Sequence, residues 1–202
     1  MAIGIEQIKQ LREETGAGVL DCRKALETYN GDFEKAIEYL REKGLAKAAK
    51  RADREVYEGM VELYSHGNGR VGVMVEVNCE TDFVARSESF RKFAHEVALQ
   101  VAAGAPKYVR VEDIPAETLE QEREKARNLA LAEGKPENVI QRIVDGKMEK
   151  FYNDHCLLRQ TYVRDENITL EDLRNQHIAA IGENIVIRRF ARWEVGEEAR
   201  AQ

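Results

Sequence analysis

Residues 71–90 read VGVMVEVNCETDFVARSESF. Val71, Val73, Val75 and Val77 alternate, which places them on one face of a strand. Asn78-Cys79-Glu80-Thr81-Asp82-Phe83 follows, and then a helix begins. Phe83 therefore occupies a polar corner between a strand and a helix. Two readings of it stand. It tucks under its own helix as core, or it is held out by a rigid strand and helix to fill a pocket on a partner.

Upstream of the corner, residues 57–77 read as a β-hairpin. Met60, Glu62 and Tyr64 alternate with Val61 and Leu63, and His66-Gly67-Asn68-Gly69 contains Asn-Gly, a strong hairpin signal. The valines lie on one face only, as in a sheet covered on one side. Downstream, Ser87 is placed to cap a helix over 87–103. Phe90, Phe93, Ala94, Val97, Ala98 and Val101 form its apolar stripe, which should pack on the valines. Gly104-Ala105-Pro106 ends it.

The N-terminal 44 residues predict three short helices. Their apolar sets are Ile5/Ile8/Leu11, Val19/Cys22/Leu26/Tyr29 and Phe33/Ala36/Ile37/Leu40. Thr15-Gly16-Ala17-Gly18 and Asn30-Gly31 separate them, Asp32 caps the third, and Gly44 is expected to stop it. Residues 45–55, LAKAAKRADRE, read as a solvated helical linker. Beyond residue 106, a short connection leads to a charged helix from Pro115 to about Glu133. Gly134-Lys135-Pro136 breaks it from a second helix bearing Val139, Ile140, Ile143, Val144, Met148 and Phe151, and the two should form a helical hairpin. Residues 169–181 predict a further helix. Thr169 is its cap, with Asp172 as an acidic first turn and only a weak capping box, because Asp is one carbon shorter than Glu. Gly182 closes it. Ile185, Val186, Ile187, Phe190 and Trp193 then read as a third strand for the hairpin, and residues 196–202 as a disordered tail. The expected fold class is α+β, with a three-helix unit over 1–55 including the linker, and over 56–202 a small antiparallel sheet covered by helices.

At 202 residues, 43% hydrophobic and 34% charged, the chain can bury a core and stay in solution. A formal charge of −6 argues against general nucleic-acid binding. Cys22, Cys79 and Cys156 form neither a disulfide framework nor a zinc pattern, so a reducing cytosol is the default. The acidic N-terminus does not suit a signal or transit peptide, and no window approaches the roughly 20 apolar residues of a membrane span. The expectation is a cytoplasmic protein that binds neither membrane nor nucleic acid.

Candidate chemistry is sparse. Cys79 stands before a helix, where thiolates can be activated, but His95 lies well inside the following helix and turns away. His66, His95, His155 and His177 are scattered, and TGAG and HGNGR lack the context of a phosphate loop. Arg188-Arg189-Phe190-Ala191-Arg192 mixes cation and aromatic as RNA-binding sheets do, yet no aromatic platform accompanies it. No catalytic residue, cofactor or metal is expected. A binding protein with a presented polar-aromatic corner remains, with a thiol enzyme as a rival class.

Three motifs carry a family resemblance. Leu11-Arg12-Glu13-Glu14-Thr15-Gly16-Ala17-Gly18, continuing through Asp21 to Lys24-Ala25-Leu26, resembles the N-terminal signature of elongation factor Ts. Residues 76–86, EVNCETDFVAR, resemble its second signature, and Ile181-Gly182-Glu183-Asn184-Ile185 a third. They occur in the family's order and frame nearly the whole chain. The resemblance implies a non-catalytic guanine-nucleotide exchange factor for elongation factor Tu. It implies an N-terminal unit similar to ubiquitin-associated domains, docking on the partner's GTPase domain through Arg12, Val19 and Leu20. A ubiquitin-like-binding adaptor that uses this unit alone is then a second rival class. The resemblance also implies that Thr81, Asp82, Phe83 and Val84 contact the partner. Asp82-Phe83 would wedge between its helices and disturb the groups holding magnesium and the phosphates of GDP. Whether Asp82 acts on the partner or only caps the turn stays open. Arg23 stands where the family commonly has Lys, which keeps charge but not geometry. The chain resembles the short form, without a second core subdomain or a protruding coiled coil, and a homodimer is expected to replace their contacts.

Overall fold

A computed structural model describes residues 3–197. The predicted disordered tail falls mostly at 198–202, outside the described residues. Three helices open the chain: α1 (Ile5–Thr15), α2 (Val19–Thr28) and α3 (Phe33–Ala49). Leu11, Cys22, Ala25, Leu26, Ala36 and Leu40 form their own small core. Gly16 takes φ 65° after α1, and its N–H bonds back to the carbonyl of Arg12, closing the helix as a left-handed cap does. Asp32 caps α3 by accepting from the Lys35 N–H.

Gly44 does not stop α3. The helix runs five residues further, so the first half of the expected linker is helix with one buried face. Gly44 is buried instead, where α3 crosses a later helix over residues 170–181. Close approach of two helices, and no left-handed turn, is what a glycine serves here.

Strands β1 (Glu58–His66) and β2 (Val71–Cys79) form the hairpin, closed by Gly67, Asn68 and Gly69, all at positive φ. After a one-turn helix, α4 (Asp82–Ala85), the long α5 (Glu88–Gly104) is capped by the Ser87 hydroxyl and lies across the sheet. Phe90, Phe93, Val97 and Val101 of α5 are fully buried against the valines of β2. Helices α6 (Ala116–Ala132) and α7 (Glu137–His155) make the predicted helical hairpin around Ala126, Ala130, Ile140, Val144 and Met148.

A short hairpin of β3 (Thr161–Tyr162) and β4 (Asp165–Thr169) precedes α8 (Leu170–Ile181). The sequence reading had no strand there, because segments this short show no period. The capping box of α8 forms in full. The Thr169 hydroxyl accepts from the Asp172 N–H at 3.1 Å, and Asp172 Oδ2 accepts from the Thr169 N–H at 3.0 Å. The shorter Asp side chain reaches after all, and Arg41 of α3 braces the same oxygen at 2.9 Å.

Strand β5 (Ile185–Glu194) pairs antiparallel with β2, giving the order β1-β2-β5. A bulge opposite Glu76 and Val77 leaves Arg188 as the extra residue. Arg188 bonds to Asn78, Arg189 to Glu76 and Arg192 to Glu194, so this basic run is committed to internal partners.

Candidate functional site

The corner is built from the end of β2 upward. Cys79, the last residue of β2, is buried, and its thiol donates to the Thr81 carbonyl at 3.2 Å. Thr81 is the N-cap of α4; its hydroxyl accepts from the Val84 N–H at 3.3 Å. The capping role that the sequence left open for Asp82 thus belongs to Thr81. Asp82 lies in the first turn, exposed, with Arg86 at 3.0 Å.

Val84 points inward and joins the main core, which pins the short helix. One position earlier on the same turn, Phe83 is 82% exposed. Of the two readings of this residue, burial under its own helix is therefore excluded. With Val84 buried and the turn capped, the backbone that carries the ring is fixed.

Two carboxylates meet behind the corner. Glu183 Oε2 accepts from the Glu80 and Thr81 N–H groups, both at 3.1 Å, and Oε1 accepts from the Thr81 hydroxyl at 2.7 Å. In return Glu80 Oε1 accepts from the Asn184 N–H at 2.6 Å and pairs with Arg54. The Asn184 side chain donates to the carbonyls of Ala52 and Arg54, and Arg51 donates to that of Gly182. The second and third sequence motifs are thus joined, and the segment after α3 is tied to both. Sequence reasoning singled out Ile181-Gly182-Glu183-Asn184 but assigned its side chains no contact, because nothing local points to a partner a hundred residues away.

The remaining predicted residues lie in the helical N-terminal unit. Arg12, in the last turn of α1, is exposed. Val19 and Leu20 open α2 and are 50% and 81% exposed, while the core of the unit is filled by other residues. These are large apolar side chains in water with no local reason to be there.

The surroundings of Cys79 disfavour the thiol reading. Burial, with the Glu183 charge nearby, pushes its pKa up to about 11, so the thiolate is scarce near neutrality. His95 is engaged with Glu62 of β1 at 2.9 Å. Burial likewise raises Cys156 to about 11, and it also raises Cys22. Among the described residues, no helix is long and apolar enough to cross a membrane.

What the fold and the corner define is an α+β protein that offers exposed apolar side chains on the first turns of helices, with a buried thiol at its most conspicuous motif. The family model described as Elongation factor TS matches residues 6–177. Proteins named elongation factor Ts resemble the chain along almost its entire length. The one from Caldanaerobacter subterraneus subsp. tengcongensis is 60% identical over 96% of this chain and 98% of its own length. Those from Carboxydothermus hydrogenoformans and Moorella thermoacetica are each 57% identical, over 95% and 96% of this chain and 88% and 96% of their own lengths. The chain belongs to the elongation factor Ts family and is a translation elongation factor.

Proposed function

We propose that this chain is a cytoplasmic guanine-nucleotide exchange factor for elongation factor Tu. The observation that carries the proposal is the exposure of Phe83 on a turn whose neighbours Cys79, Thr81 and Val84 are all fixed. Phe83 and Asp82 enter the GTPase domain of the partner and disturb its magnesium and phosphate site. Arg12, Val19 and Leu20 of the N-terminal unit, residues 1–55, make a second contact. Thr81 sits at the rim of the interface. Val84, buried in the main core of the free chain, supports the wedge from beneath.

Exchange requires that the factor bind the nucleotide-free partner far better than the GDP-bound one, and GDP then weakens the factor reciprocally. A 10⁴-fold weakening of nucleotide corresponds to about 5.5 kcal/mol of differential binding. Burying one Phe contributes about 1.5–3 kcal/mol. Phe83 therefore supplies one to two decades, at about 1.4 kcal/mol per decade, and the second contact has to supply part of the rest.

The testing experiment is release of labelled GDP from elongation factor Tu with and without this protein. Accelerated release supports the reading; an unchanged rate at saturating protein rejects it.

The same reading includes a homodimer. Val61 and Leu63 of β1, Met74 of β2 and Trp193 of β5 are all exposed on the side of the sheet away from α5. Leu63 pairs with Met74, which pairs with Ala191, so the apolar strip crosses all three strands. A second copy placing the same strip face to face covers both at once, as a two-fold interface does. Light scattering that gives a monomer at micromolar concentration rejects the dimer.

A further inference from the structure

We infer that Glu183 is a positioning residue for exchange: its carboxylate, with Glu80 and Asn184 in return, sets the angle at which Asp82-Phe83 is presented. This rests on the exchange reading above and adds to it a residue outside the corner motif.

The donors that Glu183 gathers are particular ones. The N–H groups of Glu80 and Thr81 lie past the last β2 residue and ahead of α4, where neither ladder nor helix supplies an acceptor. Backbone donors left without a partner are costly, so this segment needs an acceptor from elsewhere. A carboxylate from the turn after α8 supplies it, with charge-assisted bonds that hold geometry more tightly than neutral ones. The third bond matters for direction. Because the Thr81 hydroxyl gives its proton to Glu183 at 2.7 Å, its lone pairs remain for the Val84 N–H at 3.3 Å. Glu183 thereby orients the cap, and the cap orients the turn that carries Phe83.

The joint is reciprocal, since Glu80 accepts from the Asn184 N–H at 2.6 Å. It is also anchored. Gly182 and Asn184 are bound to Arg51, Ala52 and Arg54, which follow directly on α3. Pivoting the corner breaks several bonds at once, so Phe83 reaches the partner already oriented.

Two arms test this. The first needs no partner. Phe83→Trp in a Trp193→Phe background places the one indole at the corner, and its time-resolved anisotropy is read with and without Glu183→Ala. A larger fast component in the Glu183→Ala chain is expected. An unchanged decay in a folded chain overturns the inference, whether or not the protein exchanges nucleotide. The second arm measures stimulated GDP release against factor concentration. Glu183→Ala should lower the plateau rate about tenfold, with a smaller change in half-saturating concentration, because the N-terminal contacts are intact. An unchanged plateau overturns the positioning role. If Glu183→Ala does not fold, Glu183→Gln replaces it: it keeps the side chain's shape but offers one acceptor oxygen in place of the two that Glu80 and Thr81 use, and it should lower the plateau. An unchanged plateau in that variant overturns the inference. If the parental protein itself fails to release GDP, the exchange reading falls and the anisotropy arm alone decides what Glu183 does.

Discussion

Gly44 of α3 faces Ala179 of α8 so closely that a Cβ on the glycine would lie 3.7 Å from the Cβ of the alanine. That distance is ordinary van der Waals contact. Gly44→Ala should therefore fit and raise stability by about 0.5–1 kcal/mol through helix propensity. Gly44→Leu has no room, and it should force the helices apart and cost about 1–3 kcal/mol. Thermal unfolding of the two variants tests the pair: a stabilised Leu variant would mean that the crossing is loose.

The same crossing affects how the second contact is tested. Cutting the chain at residue 44 severs α3 and uncovers Ala48, which belongs to the main core. Surface substitution is the cleaner probe. Leu20→Ala should weaken the complex with elongation factor Tu by about tenfold or more, with stability unchanged to within about 0.5 kcal/mol. Titration calorimetry and thermal unfolding measure the two effects. Parental affinity in Leu20→Ala removes this residue from the interface.

Phe83→Ala should slow stimulated GDP release ten- to a hundredfold, roughly the contribution of one buried Phe. Because the ring is exposed in the free protein, the unfolding midpoint should hardly move. A large drop in that midpoint would mean that the ring packs in solution.

Cys79→Ser should retain exchange. The serine hydroxyl can donate to the same Thr81 carbonyl that the thiol reaches at 3.2 Å. Loss of fit in a fully buried site should cost about 1–2 kcal/mol of stability. Native protein should also react slowly with thiol reagents near neutral pH, since burial holds the pKa near 11. Abolished activity in a folded Cys79→Ser chain would revive the thiol enzyme.

His177 gives a pH signature. It packs on Phe93 with ring centroids 4.8 Å apart, and burial, helped by Lys92 and opposed by Glu96, lowers its pKa to about 4. An unfolded chain takes up the proton near 6.5. This contribution is therefore complete above pH 6.5 and is lost as pH falls from about 6.5 to about 4, where the unfolded state binds a proton that the native state does not. The slope is at most about 1.4 kcal/mol per pH unit, and less because the ring is only half-buried. Urea midpoints across that range, with His177→Phe as the control, measure it. Identical slopes in both proteins assign the acid sensitivity elsewhere.

Most elements of the fold were legible in short windows of residues. The valine alternation of β2, the stripe of α5 and the Asn-Gly turn each repeat within a few positions, and helices and strands obey exactly such local periods only where one face is buried. Gly44 shows the limit of that method. A glycine near a helix end reads as a stop, whereas here it marks a crossing with a helix more than a hundred residues away. Strands β3 and β4 escaped for a related reason, being too short to show a period at all.

The candidate site divides the same way. The polar corner, its lone aromatic and the three family motifs were visible in the order of the residues, since each is contiguous. Which way Phe83 points and that Glu183 holds Thr81 across 102 positions were decided by tertiary structure alone. Those outcomes depend on where β2, β5 and α8 come together, and a side chain's exposure or its distant hydrogen-bond partner exists only once the chain has folded around it.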